Sequence, residues 1–406
     1  MPVLKDISIL YTCRSEGGQS AVHPFQDGAV AWRDGYVTWV GPVSELPTSA
    51  IDGKYHSANG QIVIPGLVDC HTHLAFGGWR ADEFEQRIRG DSYLDIARAG
   101  GGIGKTMQQT RAATHEELLA SSRLHLKKMS RLGVTTVECK SGYGLNAVTE
   151  RKLLEVYRTL KEESPMEIVS TFLGAHIVPP EFKDDREAYI EMLCLSMIPA
   201  FADEGLAEFC DVFVEESAFT HDEAIRVLEA GKAVGLTPKL HVDQLHDGGG
   251  AALAADVGAV SADHLEYTGS VGIRRMRDAN VIGVCLPLAT LYLNQKPMPA
   301  RTFVEGGVKV AVATDFNPGS APSYHLPLAM MLACTMNRLT PAEVLKGATI
   351  YAAEAIRRGN RCGSIEPGKR ADLAVLNVPD INHWMYHFEP DVCSETFVKG
   401  VPHHED

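Results

Sequence analysis

The chain has 406 residues, long enough for one large domain with a smaller one beside it. Its net charge of -14 excludes the clustered basic face of a nucleic-acid-binding protein, and its 45% hydrophobic and 22% charged residues exclude a largely disordered chain. No stretch approaches about 18 consecutive apolar residues, and the first residues lack a signal-peptide pattern. We therefore expect a cytoplasmic protein with neither a nucleic-acid nor a membrane partner.

The cysteines are odd in number, scattered, mostly set in apolar runs and never spaced as C-x-x-C, so we expect reduced, buried thiols. The nine positions are Cys13, Cys70, Cys139, Cys194, Cys210, Cys285, Cys334, Cys362 and Cys393.

Both ends of the chain carry short β-type segments. Residues 29–32 and 36–40 alternate in polarity around the turn Arg33-Asp34-Gly35, which is typical of a hairpin. Similar short β-type segments occur in residues 363–376 and near 396–398. We expect residues 1–60 and 361–406 to build one small β-sandwich domain together.

Between the ends, apolar strand-like runs alternate with helical stretches, a pattern that favours repeated βα units and a parallel sheet. One helix start is marked by Thr114 followed three residues later by Glu117, a capping-box pattern. Eight runs predict a (β/α)8 barrel of the TIM type over residues 61–360. The runs are 62–74, 135–140, 168–177, 211–216, 238–242, 259–265, 281–286 and 308–315.

Ligand-type side chains stand at the ends of four of these runs. His71 and His73 alternate with Thr72, so they point to one side of a strand. The other three are His241, His264 and Asp315. Taken singly, a histidine after an apolar strand is more often a hydrogen-bonded core residue than a ligand, and Asp315 fits an N-cap. Because the carboxyl ends of barrel strands share one face, the joint pattern favours a metal site there.

Two glycine-rich segments look like phosphate loops but lack the required spacing. Residues 100–106 (GGGIGKT) have Ala99 where a P-loop needs glycine, and helical text precedes them. We expect this segment to be a loop near the substrate. Residues 248–250 carry no dinucleotide fingerprint.

The chain resembles the metal-dependent amidohydrolase superfamily over nearly its whole length. The matching text is PGLVDCHTH at residues 65–73, His241, His264, Thr314-Asp315 and GSIEPGKRADL at residues 363–373. The resemblance implies one zinc or iron ion held by His71, His73, His241 and Asp315. Dinuclear members carry a lysine at strand four, where this chain reads DVFVEE, so we expect a single metal; a bridge through Glu215 is the less favoured alternative.

Within that superfamily the chain resembles the imidazolonepropionase family. The matching segments are FGGWR (76–80), ECKSGYG (138–144), LGAHIVPP (173–180) and DFNPGS (315–320). This resemblance implies hydrolytic ring opening of 4-imidazolone-5-propanoate to N-formimidoyl-L-glutamate. Asp315 would accept the proton of the attacking water, and His264 would orient that water. The implied substrate-binding residues are Arg80, Tyr143, His176, Gln244, Asn317, Gly319 and Ser320.

Several of these assignments have plainer interpretations. Arg80 suits the carboxylate tail of the substrate because guanidinium binds carboxylate in bidentate geometry, but it also fits a surface ion pair with Asp82 or Glu83. The segment after Asp315 is equally a good turn. Gln244 stands where some relatives have glutamate and cannot act as a base, so we expect it to hydrogen-bond the substrate.

Two other functions share the same motifs. An aromatic-base deaminase would use the same metal ligands, although Arg80 favours a substrate with a carboxylate. A scaffold protein that has lost activity is less favoured because all four ligands are present. The metal and the assembly cannot be derived from these residues; a homodimer is the default expectation.

Overall fold

The computed structural model describes residues 1–50, 54–91, 100–389 and 392–403. Its central feature is an eight-stranded sheet whose neighbouring strands all run parallel, in the order β13-β12-β11-β10-β9-β8-β7-β6. Its strands are β6 (Leu67–Thr72), β7 (Val134–Lys140), β8 (Glu167–Ala175), β9 (Phe209–Val214), β10 (Thr237–Val242), β11 (Ser261–His264), β12 (Ile282–Cys285) and β13 (Val310–Val312).

The first and last strands in this order, β13 and β6, come together at the carboxyl end of the sheet. Thr72 and Phe316 form a parallel bridge, and the Asp315 N–H donates to the His71 carbonyl at 3.0 Å. The sheet thus closes into the predicted (β/α)8 barrel. Every barrel strand is buried along nearly its full length, which is why these segments are continuous apolar runs rather than alternating ones.

Helices connect most of the barrel strands. Thr114 caps one of them through the predicted capping box with Glu117. A π-helical turn, Leu193–Met197, joins α5 to α6. The helices of the described residues are α1 (Ala81–Ile88), α2 (Ile103–Ala112), α3 (His115–Ser130), α4 (Ala147–Glu163), α5 (Arg186–Met192), α6 (Ile198–Asp203), α7 (His221–Ala233), α8 (Gly250–Asp256), α9 (Ser270–Ala279), α10 (Pro287–Leu293), α11 (Ala300–Glu305), α12 (Leu326–Thr335), α13 (Pro341–Gly347), α14 (Ile350–Ala355) and α15 (Ile381–His387).

A second sheet is built from both ends of the chain, as expected. Its order is β16-β15-β14-β5-β1-β2-β3, and β4 also pairs with β1. The predicted hairpin turn consists of Asp34 and Gly35, both with positive φ, as a tight two-residue turn requires. The strands are β1 (Val3–Tyr11), β2 (Pro24–Arg33), β3 (Tyr36–Pro42), β4 (Tyr55–Ser57), β5 (Ile62–Pro65), β14 (Leu373–Leu376), β15 (Cys393–Val398) and β16 (Val401–Pro402).

This second sheet folds over on itself. The rings of Trp32 in β2 and Phe397 in β15 lie 5.9 Å apart, although three strands separate β2 from β15 in the sheet order. At roughly 4.8 Å per strand a flat sheet would hold them much farther apart. The fold-over buries a common core that includes Leu4, Val63 and Leu373.

The first predicted run, residues 62–74, is in fact two strands in different sheets. β5 pairs with β1 and β14 in the second sheet, and β6 starts the barrel after Gly66. A β-carbon on Gly66 would lie 2.3 Å from Thr135 Oγ1, so the crossing requires glycine. Both strands are fully buried, and the polarity pattern therefore shows no break. The division into residues 61–360 and the two chain ends stays a prediction.

The state of the cysteines, and whether a described helix could span a membrane, can be read from the fold. All nine cysteines are free thiols, and six of them are buried. Among the described residues, no helix combines the length and the apolar character that a membrane crossing requires.

Candidate metal centre and substrate cavity

The carboxyl face of the barrel brings together the five predicted metal-site residues. The rings of His71 and His241 lie 4.5 Å apart, and those of His71 and His73 lie 5.5 Å apart. Asp315 Oδ1 is 3.3 Å from His71 Nε2 and 3.6 Å from His73 Nε2. Donor atoms of His71, His73 and Asp315 lie within 4.8 Å of one another, and so do those of His71, His241 and His264.

Two carboxylates orient the imidazoles from below. Asp263 lies 2.6 Å from His71 Nδ1, and Asp211 lies 3.1 Å from His241 Nδ1. The Nε2 atoms of both histidines are buried and have no hydrogen-bond partner among the described residues. Metal-binding histidines typically bond a carboxylate through one ring nitrogen and the metal through the other. The donor set and its unpartnered nitrogens therefore fit a cation.

Burial keeps these histidines neutral. It is the main reason why the pKa values of His71, His73 and His241 lie well below the usual value, with further lowering from Lys140 and the neighbouring imidazoles. A neutral imidazole has a free lone pair, which is the form that binds a metal. The cluster is therefore preorganised for metal binding at neutral pH.

The pKa values of His264 and Asp315 are raised, whereas those of His71, His73 and His241 are lowered. Burial raises the pKa of Asp315 to about 7, although His264 opposes the rise. Burial would lower the pKa of His264, but nearby carboxylates, first Glu266, outweigh that and raise it. Both residues have positive φ, 80° at His264 and 55° at Asp315, a strained conformation for non-glycine residues that is common at functional sites.

Four of these five residues, His73, His241, His264 and Asp315, line a cavity of about 670 Å³. Its polar wall contains six of the seven predicted substrate residues: Arg80, Tyr143, His176, Gln244, Asn317 and Ser320. The seventh, Gly319, packs behind the wall. A β-carbon there would lie 2.2 Å from the Arg80 guanidinium, so glycine lets the two groups stack.

Arg80 is buried, not on the surface. It is 4% exposed, and its Nε donates to Glu83 Oε2 at 3.0 Å. Glu83 Oε1 in turn accepts the Gly102 N–H at 3.0 Å. Of the two ion-pair partners that the sequence suggested, Glu83 is therefore the one used, and Asp82 pairs with Lys105 instead. The glycine-rich segment lines the cavity through Gly100, Gly101, Ile103 and Gly104.

Comparison with known proteins agrees with this geometry. The amidohydrolase family model matches residues 62–402. An imidazolonepropionase from Geobacillus kaustophilus (strain HTA426) is 48% identical over 379 residues, covering 92% of this chain and 89% of that protein. One from Porphyromonas gingivalis (strain ATCC BAA-308 / W83) is 42% identical over 405 residues, covering 98% and 96%. The chain belongs to the imidazolonepropionase family of amidohydrolases.

Solved structures with the same fold are more distant. A zinc-bound adenosine deaminase from Xanthomonas campestris has a TM-score of 0.73 at 17% identity, covering 99% of this chain and 92% of its own. Guanine deaminase from E. coli has a TM-score of 0.74 at 15% identity, with full coverage of both chains. At such identities the likeness shows the fold alone.

In this imidazolonepropionase-family chain, His176 is fixed as a hydrogen-bond acceptor toward the cavity. Its Nδ1 lies 3.0 Å from the Gly142 carbonyl, which can only accept, so Nδ1 carries the proton. Burial lowers the pKa of His176 to about 4, which leaves Nε2 without a proton at neutral pH. It can therefore accept from a ring N–H but cannot donate to a carbonyl. Its ring stacks on His73 at 5.4 Å.

Asn317 forms a turn, the plainer interpretation from the sequence. Its Oδ1 accepts the N–H groups of Gly319 and Ser320 at 2.8 Å, and its Nδ2 donates to the Asp315 carbonyl at 2.6 Å. The amide therefore holds the loop that follows Asp315. Direct contact of Asn317 with a substrate stays a prediction.

Glu215 does not join the metal groups found among the described residues. Its Oε1 accepts the N–H groups of Gln244 and Leu245 at 2.8 Å, and its Oε2 lies 2.6 Å from His246 Nδ1. Both oxygens thus bind the loop after β10. These bonds do not favour a bridge through Glu215, and a single metal stays a prediction.

Sequence reasoning missed the buried charges beneath the histidines. They are Glu138, Lys140, Asp211, Lys239 and Asp263, all 0% exposed. A usable signal was present, because each of them is a charged residue inside a strand of an otherwise apolar barrel. Glu266, which lies 3.6 Å from His264 Nδ1, was also missed.

Proposed function

We propose that this protein hydrolyses 4-imidazolone-5-propanoate to N-formimidoyl-L-glutamate, a ring-opening step of histidine degradation. The observation that carries the proposal is the combination, in one cavity of about 670 Å³, of a histidine–aspartate cluster and a buried arginine. The cluster suits hydrolysis, and the arginine suits a carboxylate tail. Several imidazolonepropionases at 42–50% identity over most of the chain support the same substrate.

His71, His73, His241 and Asp315 would hold one zinc or iron ion. When bound, such an ion supplies Lewis acidity that makes water nucleophilic near neutral pH. His264 lies within the 4.8 Å limit of His71 and His241, so it stands beside two of the proposed ligands. Its proximity to Glu266 supports an orienting role, because a raised pKa keeps an N–H available to a developing negative charge.

Asp315 carries the proton in this scheme. It takes a proton from the attacking water as the water oxygen bonds to the ring carbonyl carbon. The ring C–N bond then breaks, and Asp315 returns the proton to the leaving nitrogen. A carboxylate placed against the attacking water can accept its proton and release it later to the leaving nitrogen.

The other groups would orient the ring and its tail. Arg80 binds the propionate through its two terminal N–H groups, since Nε is occupied by Glu83. His176 accepts a ring N–H through Nε2. Tyr143, Gln244 and Ser320 line the same wall and limit how the ring can sit.

The test is direct. Freshly made imidazolonepropionate is added to purified protein, and loss of its ultraviolet absorbance is followed with and without a chelator. We expect chelator-sensitive loss without release of ammonia. Unchanged absorbance in both samples would remove the substrate assignment, and immediate ammonia release from a purine or pyrimidine would indicate a deaminase instead.

The assembly and the cellular location are further proposals. We propose a homodimer, since two-fold dimers are the commonest assemblies, and a cytoplasmic enzyme. Light scattering coupled to size-exclusion chromatography tests the first, and fractionation of cells tests the second.

A further inference from the structure

A layer of buried charges lies inside the barrel, directly beneath the histidine cluster. Its centre is Lys140 at the end of β7, which is 0% exposed. The Nζ atom lies 2.8 Å from Glu138 Oε1, 2.8 Å from Asp211 Oδ2 and 3.4 Å from Asp263 Oδ2. An ammonium group has three N–H donors, and here each of them can face a different carboxylate.

Two of these carboxylates are the ones that orient the candidate metal ligands. Asp263 lies 2.6 Å from His71 Nδ1, and Asp211 lies 3.1 Å from His241 Nδ1. One lysine on β7 therefore joins the partners of two histidines that stand on β6 and β10, far apart in the sheet order. Asp263 is also fixed by Ser261, whose hydroxyl donates to Oδ1 at 2.8 Å.

The energetic reason for such a link is strong. A buried carboxylate needs close donors, because removal of an ion from water costs several kcal/mol unless it is paired. The contacts with Lys140 supply such a donor to Asp211 and Asp263 and fix where their oxygens lie. Burial alone would lower the pKa of Lys140, but the surrounding carboxylates outweigh burial and raise it. Lys140 therefore stays an ammonium.

We propose that Lys140 is a positioning residue for the metal centre: by pairing with both Asp211 and Asp263, it holds their oxygens against Nδ1 of His241 and His71 and so turns the Nε2 atoms of both rings toward the ion. The inference rests on the proposed metal site. It also gives a role to a lysine on β7, the second barrel strand. Dinuclear relatives would instead carry a metal-bridging lysine on the fourth barrel strand, which is β9 here.

Lys140→Met tests the proposal, because methionine matches the length of lysine and removes the charge. The first readout is the zinc affinity of metal-stripped protein, measured by competition with a chromophoric chelator. Loss of an outer-shell partner typically weakens metal binding about 10- to 100-fold, and we expect a loss in that range. The second readout is the pair of downfield imidazole N–H proton resonances expected for His71 and His241, which should shift or vanish.

The matched control is Lys239→Met. Lys239 is equally buried, but its Nζ lies 3.4 Å from the Ala355 carbonyl and 3.8 Å from Glu138, and it makes no ion pair with Asp211 or Asp263 among those found in the described residues. Lys239→Met therefore removes a buried positive charge that acts on Asp263 through space but breaks none of the contacts of the proposed link, so it separates charge from contact. We expect zinc affinity within about threefold of the parent and both resonances in place.

The outcomes separate the two levels of the argument. If the parent protein fails to bind zinc, the proposed metal site fails first. If the parent binds zinc and folded Lys140→Met binds it within threefold, the positioning role is overturned. The positioning role is also overturned if Lys140→Met loses zinc affinity while the His71 and His241 N–H resonances stay in place. It is overturned as well if Lys239→Met loses as much zinc affinity as Lys140→Met.

A second variant covers the case in which Lys140→Met does not fold. Asp263→Asn keeps the side-chain volume and removes the charge that links Lys140 to His71. We expect a comparable loss of zinc affinity and a shift of one N–H resonance. Parent-like affinity and resonances in Asp263→Asn would overturn the proposal.

Discussion

The two halves of the cavity are built differently. The metal half stands on strand ends that the hydrogen bonds of the parallel sheet hold in place, and its imidazoles are oriented by buried carboxylates. The half around Arg80, where we propose that the propionate tail binds, is built from loops and short helices. There Arg80 donates to Glu83, and Glu83 also accepts an N–H of the glycine-rich segment. The proposed metal site thus stands on rigid strands, and the proposed site for the substrate tail stands on segments that tolerate change.

Removal of Asp315, the proposed proton carrier, should have the largest effect. Asp315→Asn keeps the size of the side chain but cannot accept a proton, and proton transfer by a positioned group contributes about 10²- to 10⁴-fold. We expect kcat to fall by about 10³-fold or more while some metal remains bound, measured by steady-state kinetics together with metal analysis. Parent-like turnover would show that another group carries the proton.

Metal binding should depend on pH through the same residue. Burial raises the pKa of Asp315 to about 7, so below pH 7 the ion must displace one proton and above pH 7 it displaces none. Zinc affinity should therefore fall about tenfold per unit from pH 7 to pH 5 and level off above pH 7. Asp315→Asn should bind more weakly but without this slope. A slope of two would make His264 another ligand, and no slope would contradict the pKa.

Loss of the tail-binding group should act on KM alone. Arg80→Ala removes charge-assisted hydrogen bonds worth roughly 1.5–3 kcal/mol, so we expect KM to rise about 10- to 100-fold while metal content stays constant. Arg89→Ala is the control, since Arg89 lies on the neighbouring surface and pairs with the exposed Glu85. An unchanged KM in Arg80→Ala would show that the tail binds elsewhere.

The smallest effect is expected for Glu83, which contacts Arg80 and reaches the substrate only through it. Glu83→Gln retains a hydrogen-bonding side chain but loses the charge that holds Arg80, so we expect KM to rise about three- to tenfold with kcat little changed. Glu85→Gln, on the same helix but exposed, should leave both constants unchanged. If Glu83→Gln lowers kcat as strongly as it raises KM, the two halves of the cavity are not separable.

The same contrast explains what could be predicted from the sequence. Since parallel barrel strands end on one face, His71, His241 and Asp315 could be assigned to one site without knowledge of any contact. Arg80 required a family resemblance, because a loop residue has no position that periodicity fixes. Asp263 and Lys140 were missed because their partners lie on other strands, and the sequence alone does not give the register between strands. The break at Gly66 was missed because both flanking strands are fully buried.

The pairing of β5 with β14 has a consequence for biosynthesis. β5 leaves the ribosome early, yet one of its two neighbours is translated only after the entire barrel. Until then the nascent chain exposes an apolar strand edge of the kind that promotes aggregation. Translation arrested just before residue 373 should therefore yield a chain that depends on chaperones, and addition of the missing carboxyl-terminal peptide should relieve that dependence.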